Sequence, residues 1–326
     1  MQYTQLSRRS AGVKSSDVDW EKQYLTFIPV ENAVFRWEER ATSGHLEYST
    51  DEGQTWTTIS KNGNTPSIQA GTKVMWKGNL EPAASSYGGG GIGSFSSTGL
   101  YNVMGNTMSL LYGDNYIGQT TLVKSYTFYQ LFLNNMVVDC KNMILPATSL
   151  TKRCYSSMFY GCTRLIAAPE LPAKKLIDYC YSYMFWGCTS ITTTPDLPAT
   201  TLAAYCCQNM FTGCTSLTTV PSILPATVLA QYCYTAMFYG CTNLTKAPEL
   251  PANTLISYCY RRMFCECTKL NYIKCLATNI SASECLSDWV MSVASTGTFV
   301  KSVGMTGWST GTSGTPSGWT VVDDNS

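Results

Sequence analysis

The sequence predicts a repeat solenoid that follows a small all-β, sandwich-like domain. Three observations lead to this fold class. A unit of 26 or 27 residues recurs through the second half of the chain. Two cysteines hold fixed places in each unit, and all 15 cysteines lie at or after Cys140. Before residue 81, apolar and polar residues alternate between turn residues, which is typical of strands with one buried face.

The repeat is defined by several series of positions that share the same steps. Met-Phe recurs from Met158 to Met263, and one unit alone cannot bury its apolar side, so stacked units are expected to share a core. The segment Leu-Pro-Ala begins at Leu145, Leu171, Leu197, Leu224 and Leu250. The first cysteine series is Cys154, Cys180, Cys206, Cys233, Cys259 and Cys285, and the second is Cys162, Cys188, Cys214, Cys241 and Cys267.

Within a unit, two short elements are predicted. The spacing of Cys154, Met158, Phe159 and Cys162 (i, i+4, i+5, i+8) indicates a short helix or turn with an apolar inner face. Residues 165–169 are too few for a helix and indicate a brief parallel strand that a proline ends. The predicted unit is therefore a short strand plus a short helix or turn.

The same residues carry a family resemblance. The pattern Phe-x-Gly-Cys-Thr-x-Leu, at residues 159–165 and again at 211–217, resembles the BspA-like leucine-rich repeats of gut and oral bacteria and their phages. The likeness covers residues 121–285, although the period is longer than is usual in that family and the Leu-Pro-Ala segment departs from it. The resemblance implies a leucine-rich-repeat solenoid used for adhesion or recognition, without catalytic activity.

Five segments are predicted along the chain. Residues 82–99 have the composition of a flexible loop, and their G-x-G-x-x-G match at Gly88–Gly93 is read as coincidence because no helix follows it. The segments are an N-terminal arm (1–20), a β-sandwich-like domain (21–97), a connector and N-terminal cap (98–124), the solenoid (125–285) and a C-terminal cap (286–326).

One hairpin is predicted in detail. Residues 49–56 match the Asp-box, S-x-D-x-G-x-T-W, in which Asp51 folds back on the turn, Gly53 takes a positive φ and Trp56 packs beneath. Asp-boxes recur in sialidases, but here the motif occurs once, without the arginines and acid pair of such an enzyme. We therefore predict a structural hairpin and keep a glycan-active enzyme as a third function hypothesis.

Composition excludes several classes of function. The net charge of +1 argues against binding nucleic acid or anionic membranes through global charge. His45 is the only histidine and lies in a predicted loop, so we expect it to be solvent-exposed rather than catalytic. The N-terminus has no signal-like apolar region, and no run of apolar residues is long enough to span a bilayer.

No metal or cofactor site is expected from the cysteines. They form no CxxC pair and lack histidine partners, so reduced thiols packed in the core are favoured. Disulfides between neighbouring units stay open as an alternative. Asp114, in a Gly-Asp-Asn segment, is read as a turn residue rather than a calcium ligand.

Candidate ligand-binding residues are found where the units differ. Repeated positions are expected to fill the core and varying ones to face solvent, where Tyr and Trp offer an apolar ring and a polar tip to a ligand. The alternative that the tyrosines only pack along the flank stays open. The candidates are Tyr160, Tyr183, Trp186, Asn209, Tyr239, Arg261 and Arg262.

These features predict a non-enzymatic recognition or adhesion protein. The expected partner is a bacterial cell-surface glycan or protein, bound through the solenoid. Because no leader is found, a phage virion fibre or accessory receptor-binding protein, assembled in the host cytoplasm, is preferred. The N-terminal region would then contact other virion proteins, and a homo-oligomer stays open. The alternative is a secreted bacterial surface adhesin.

Overall fold

A computed structural model describes residues 18–84 and 89–325. The predicted N-terminal arm therefore lies outside the described residues, except at its end, where a 3₁₀ turn spans Trp20–Lys22. A second 3₁₀ turn, Gly113–Asn115, follows the short helix α1, Ser109–Tyr112. The strands are β1 Leu25–Pro29, β2 Phe35–Glu39, β3 Leu46–Ser49, β4 Thr57–Ile59, β5 Val74–Gly78, β6 Gly93–Ser97, β7 Tyr101–Asn106, β8 Val137–Asp139, β9 Met143–Ile144, β10 Tyr272–Cys275, β11 Thr298–Lys301 and β12 Thr320–Asp323.

The first part of the chain contains one mixed sheet and one separate pair of strands. The sheet has the order β4-β3-β5-β1-β7-β8, and β9 also pairs with β7. Strands β2 and β6 form a separate antiparallel pair. The core between them is aromatic: the ring of Phe27 lies 4.8–5.4 Å, centroid to centroid, from four others. Those four rings belong to Phe35, Trp76, Phe95 and Tyr101.

The predicted flexible loop at residues 82–99 is wrong in its last third. Gly93–Ser97 form β6, which pairs residue for residue with β2. Phe95 fixes this strand because its buried ring packs 4.7 Å from that of Trp37. Gly93 has a φ of +145°, and a Cβ there would lie 2.5 Å from the Glu38 carbonyl oxygen. The glycine thus lets β6 approach β2 closely, although the composition of this segment is typical of a loop.

The repeats are built from turns that hydrogen-bond to the next unit. In residues 153–162, alternate amides donate to the residue three positions back, as Met158 donates to Tyr155 O (3.2 Å). The intervening amides donate to the following unit, as Phe159 donates to Met184 O (2.9 Å). We call these segments the turn ribbons, and they recur at residues 126–135, 153–162, 179–188, 205–214, 232–241, 258–267 and 284–293.

The predicted leucine-rich-repeat solenoid of short parallel strands plus short helices is wrong. Residues 145–271 contain neither a helix nor a strand, only isolated parallel bridges such as Thr193↔Thr219. The expected strand at residues 165–169 is reduced to one such bridge, Asp139↔Ala167. The all-β sandwich expected before it is also corrected, because parallel pairing of β7 with β8 and β9 makes that sheet mixed and extends it into the first repeat. The stacked units do not close into a leucine-rich-repeat solenoid.

A continuous aromatic stack forms the interior of the units. Five consecutive ring pairs, from Phe132 to Phe264, lie 5.3–5.8 Å apart and within 11° of parallel. Phe132 also packs against Phe27 and Phe95 of the first part (5.8 and 6.0 Å). The sheet and the repeats therefore share one core.

The stack continues beyond the point where the sequence loses its period. Residues after Leu286 were expected to form a closing cap with a short β segment. Beyond Leu286, the short strands β11 and β12 extend a parallel ladder that begins at β10. Trp289 takes the place of the repeated methionine and packs 6.1 Å from Phe264, and the buried Val290 stands at the phenylalanine position. All four residues of β12 are exposed.

Candidate functional site

The residues that vary between units lie on the outer side of the turn ribbons. We call it the turn face and define it by three columns of equivalent positions. The first column is Tyr126, Arg153, Tyr179, Tyr205, Tyr232, Tyr258 and Glu284. The second column is Gln130, Ser157, Tyr183, Asn209, Ala236, Arg262 and Asp288. The third column is Leu133, Tyr160, Trp186, Thr212, Tyr239, Cys265 and Met291.

A left-handed backbone brings most residues of the first two columns to the surface; Ser157 and Ala236 remain buried. Every residue in these columns has a φ between 49° and 64°, a conformation that costs an L-residue roughly 1–2 kcal/mol. A bond to the next unit helps to offset that cost, because in the ribbons from 126–135 to 258–267 the amide of each such residue donates there, as Tyr205 donates to Gln231 O (3.1 Å). One left-handed residue in every four turns the chain outward, so the pairs Cys-Tyr and Met-Phe between them point inward.

Four tyrosines of the first column form a stack at the surface. The rings of Tyr179, Tyr205, Tyr232 and Tyr258 are partly exposed, lie 4.4–4.5 Å apart and are within 10° of parallel. The guanidinium of Arg153 lies 4.0 Å from the centroid of the Tyr179 ring and covers its outer face. We call these four residues the tyrosine row.

The row ends beside a carboxylate. The hydroxyl of Tyr258 donates to Glu284 Oε1 at 3.4 Å. The charge of Glu284 and the neighbouring Tyr232 raise the pKa of Tyr258. Burial, followed by the nearby Tyr179, raises the pKa of Tyr205. The hydroxyls of Tyr205 and Tyr258 therefore remain protonated at neutral pH.

Four of the predicted site residues come together beside the row. Tyr160 and Trp186 stack at 4.4 Å and 8°, and both are partly exposed. Tyr183 lies near Tyr160 and Arg153, and its pKa is raised chiefly by burial. Asn209 donates through Nδ2 to Thr212 Oγ1 at 3.1 Å, so its amide links the second and third columns.

The other three predicted residues lie toward the far end of the turn face. The Tyr239 hydroxyl donates to Glu266 Oε1 at 2.6 Å, and this bond raises its pKa to about 12. Arg261 and Arg262 pair with Glu284 and Asp288 at 3.5 and 3.7 Å. These charges already have partners within the protein, in contrast to the uncharged centre of the face.

The sequence prediction did not include the tyrosine row among its site residues. Tyrosines flank the first cysteine series on both sides, and only the structure separates them. Those after the cysteine, such as Tyr181 and Tyr234, are buried, whereas those before it reach solvent. The signal that separates the two sets of tyrosines is the period of the outward positions. These positions, 179, 183 and 187, recur every four residues, whereas those of a helix recur every 3.6.

All 15 cysteines are buried free thiols. Thiols of the second series hydrogen-bond to the phenylalanine carbonyl of the preceding unit, as Cys188 Sγ does to Phe159 O at 3.2 Å. Burial raises the pKa of Cys154 and Cys162 to about 12. Among residues 18–84 and 89–325, no group of three or more His, Cys, Asp or Glu side chains could hold a metal ion.

The Asp-box hairpin has the predicted geometry, and its carboxylate is used internally. Asp51 accepts bonds from the Thr55 amide (2.9 Å) and hydroxyl (2.6 Å), and from the Ser49 hydroxyl (2.7 Å). Gly53 has a φ of 86°, and the Trp56 indole donates to its carbonyl at 3.1 Å.

The two remaining polar candidates lie in the same part of the chain. Asp114 accepts bonds from the Tyr24 hydroxyl (2.6 Å) and the Lys77 amine (2.9 Å), so its carboxylate already serves the fold. His45 is exposed, as expected.

A surface cavity of about 520 Å³ lies where the sheet meets the first repeats. Trp20, Ile117, Lys141 and Glu170 are among its lining residues, and none of the seven predicted site residues lines it. The candidate site is therefore a face rather than a cleft.

Comparison with known proteins gives no relative: no family model matches the chain, and neither a curated protein nor a solved structure matches it. The resemblance to BspA-like repeats stays a prediction. Across the described part of the chain, no helix has the length and apolar character needed to cross a membrane.

Proposed function

We propose that this is a non-enzymatic recognition protein whose turn face binds a glycan on a cell surface. The observation that carries the proposal is the pairing of two partly exposed aromatic stacks, Tyr160–Trp186 and the tyrosine row, on one face. Aromatic rings with polar tips, amides and hydroxyls together suit a polyhydroxylated ligand.

Charge supports the choice of glycan over an acidic or basic partner. The three central ribbons, residues 179–188, 205–214 and 232–241, contain no charged side chain. Protein interfaces are enriched in arginine, and nucleic-acid sites require cationic groups for the phosphates. An uncharged face of phenols, amides and hydroxyls fits a neutral ligand that offers many hydroxyl groups.

The test is binding of the full chain to a glycan array and to whole bacterial cells. The double variant Tyr160→Ala/Trp186→Ala should lose at least about tenfold in apparent affinity, as expected when two aromatic anchors are removed. Val228→Ala is the control, because Val228 is exposed but lies outside the turn face. Unchanged binding of the double variant removes this face as the site, and protease-sensitive cell binding would point to a protein ligand instead.

A further inference from the structure

The geometry of the tyrosine row restricts how any ligand can meet it. Because consecutive rings lie 4.4–4.5 Å apart and almost parallel, each ring covers the faces of its neighbours. Arg153 covers the outer face of Tyr179. A sugar ring or a nucleobase therefore cannot stack face-on in the middle of the row. Ring edges and hydroxyl groups are what the row presents to solvent.

The row is also periodic. Each unit contributes one phenol at the same backbone position, so the ring edges and hydroxyls repeat along the stack at nearly constant spacing. A ligand that touches a single phenol gains one hydrogen bond. A linear ligand with a similar repeat gains one for each unit that it passes.

The spacing favours a glycan over an extended peptide. A peptide strand advances about 3.3 Å per residue, and side chains on one face recur at twice that distance. Neither value matches a step of 4.4–4.5 Å, so a peptide would fall out of register within a few units. A hexose carries hydroxyls on both edges of its ring, so each sugar unit offers hydrogen-bond partners to the phenols that it passes.

We propose that a linear neutral glycan lies along the tyrosine row, parallel to the axis of the stack, with successive sugar units hydrogen-bonded to successive phenols. This inference rests on the proposed function, because it names the ligand class and the orientation at the same face. The charged groups near the ends of the row, Arg153, Arg261 and Glu284, limit the uncharged stretch to the central units.

The test uses calorimetry with linear neutral gluco- and manno-oligosaccharides, from the disaccharide to the octasaccharide, and with a matched uronate series. Each added sugar up to about the fourth should lower Kd about threefold to tenfold, the worth of one net hydrogen bond, and longer chains should add little. Tyr205→Phe removes one hydroxyl but keeps the ring stack. It should raise Kd about fivefold for the hexasaccharide and leave disaccharide binding nearly unchanged.

Tyr272→Phe is the matched control, because Tyr272 is a partly exposed tyrosine in β10, outside the turn face. Any one of three results would overturn the inference. These are a Kd that does not depend on chain length, tighter binding of the uronates, and equal effects of Tyr205→Phe and Tyr272→Phe. If cells bind through Tyr160 and Trp186 but no neutral oligosaccharide binds, the axial glycan is wrong and the proposed function stands. If neither cells nor glycan arrays bind, the proposed function itself is wrong.

Discussion

At the residue scale, the turn ribbons show that residues with different side chains adopt one backbone conformation. Gly213 and Ala236 both have positive φ, at 72° and 51°, in neighbouring ribbons. A Cβ on Gly213 would meet Gly187 Cα at 3.8 Å, which is an ordinary contact. The penalty for a side chain there therefore comes from backbone strain rather than from a clash.

Exchanging the two residue types tests this account of strain. Gly213→Ala should lower the free energy of unfolding by about 1–2 kcal/mol, because an L-residue is strained at this φ. Ala236→Gly relieves the same strain, but it loosens the unfolded chain and removes a buried methyl group, so it should change stability by less than about 0.5 kcal/mol. Urea unfolding followed by circular dichroism measures both values, and equal losses in the two variants would contradict the assignment to strain.

The Asp-box carboxylate should make its hairpin sensitive to acid. Bonds from the Thr55 hydroxyl and amide and from Ser49 lower the pKa of Asp51 to about 2, below about 3.9 for an unfolded chain. A depressed folded-state pKa means that the stabilisation is present above the unfolded value and is lost as pH falls through about 4 toward 2. We expect the Thr55 amide to lose hydrogen-exchange protection over this range.

Asp51→Asn is the matching variant, since it keeps one oxygen acceptor and removes the charge. It should exchange faster than the wild type at Thr55 near neutral pH, and the difference should vanish as pH approaches the folded-state pKa. Glu52→Gln is the control, because Glu52 pairs only with the exposed Lys73 at 3.0 Å. A pH-independent difference for Asp51→Asn would show that the charge is not the source of the stabilisation.

At the element scale, the spacing i, i+4, i+8 explains where prediction from sequence reached its limit. Cys154, Met158 and Cys162 suit a helix, but they suit a chain of four-residue turns equally well. The ribbon adopts the turns. Within the motif, Gly161 is the one residue whose type indicates a positive φ. Strand β6 was missed for a similar reason. Its glycines permit close packing, but in the sequence they look like the glycines of a loop.

The candidate site was predicted only in part for a related reason. Variation between units pointed to Tyr160, Tyr183 and Trp186, which the structure brings together at the surface. For the repeated tyrosines of the first column, by contrast, the sequence left open whether they bind a ligand or only pack along the flank. Constant residues fill a core in most stacks, but a constant residue with a left-handed backbone faces outward, and φ cannot be read from the sequence.

The burial of all 15 cysteines predicts how their thiols react. Burial raises the pKa of Cys154, Cys162 and Cys275 to about 12, so the reactive thiolate is almost absent in the folded protein. At about pH 8, an aromatic disulfide reagent should find no rapidly reacting thiol in the native chain and all 15 in denaturant. Several thiols reacting at once under native conditions would contradict this burial.

At the scale of the whole molecule, stability should depend on the number of stacked units. Each ribbon from 126–135 to 258–267 donates to the next through alternate amides and contributes one phenylalanine to the shared interior stack. Nearest-neighbour contacts of this kind make the total a sum over interfaces. The first part of the chain differs, because its sheet meets the repeats through β7, β8 and Phe132 at one end only.

Deleting one complete unit, residues 171–196, tests this additivity. Glu170 would then precede Leu197 as it now precedes Leu171, and Phe159 would stack on Phe211, so each column keeps its register. We expect a folded protein with a lower free energy of unfolding and a denaturant m-value reduced roughly in proportion to the deleted length. Deleting only residues 171–183 shifts every later column and should abolish cooperative unfolding. If the complete-unit deletion also unfolds the chain, the units are not interchangeable, and the stack depends on contacts particular to residues 171–196.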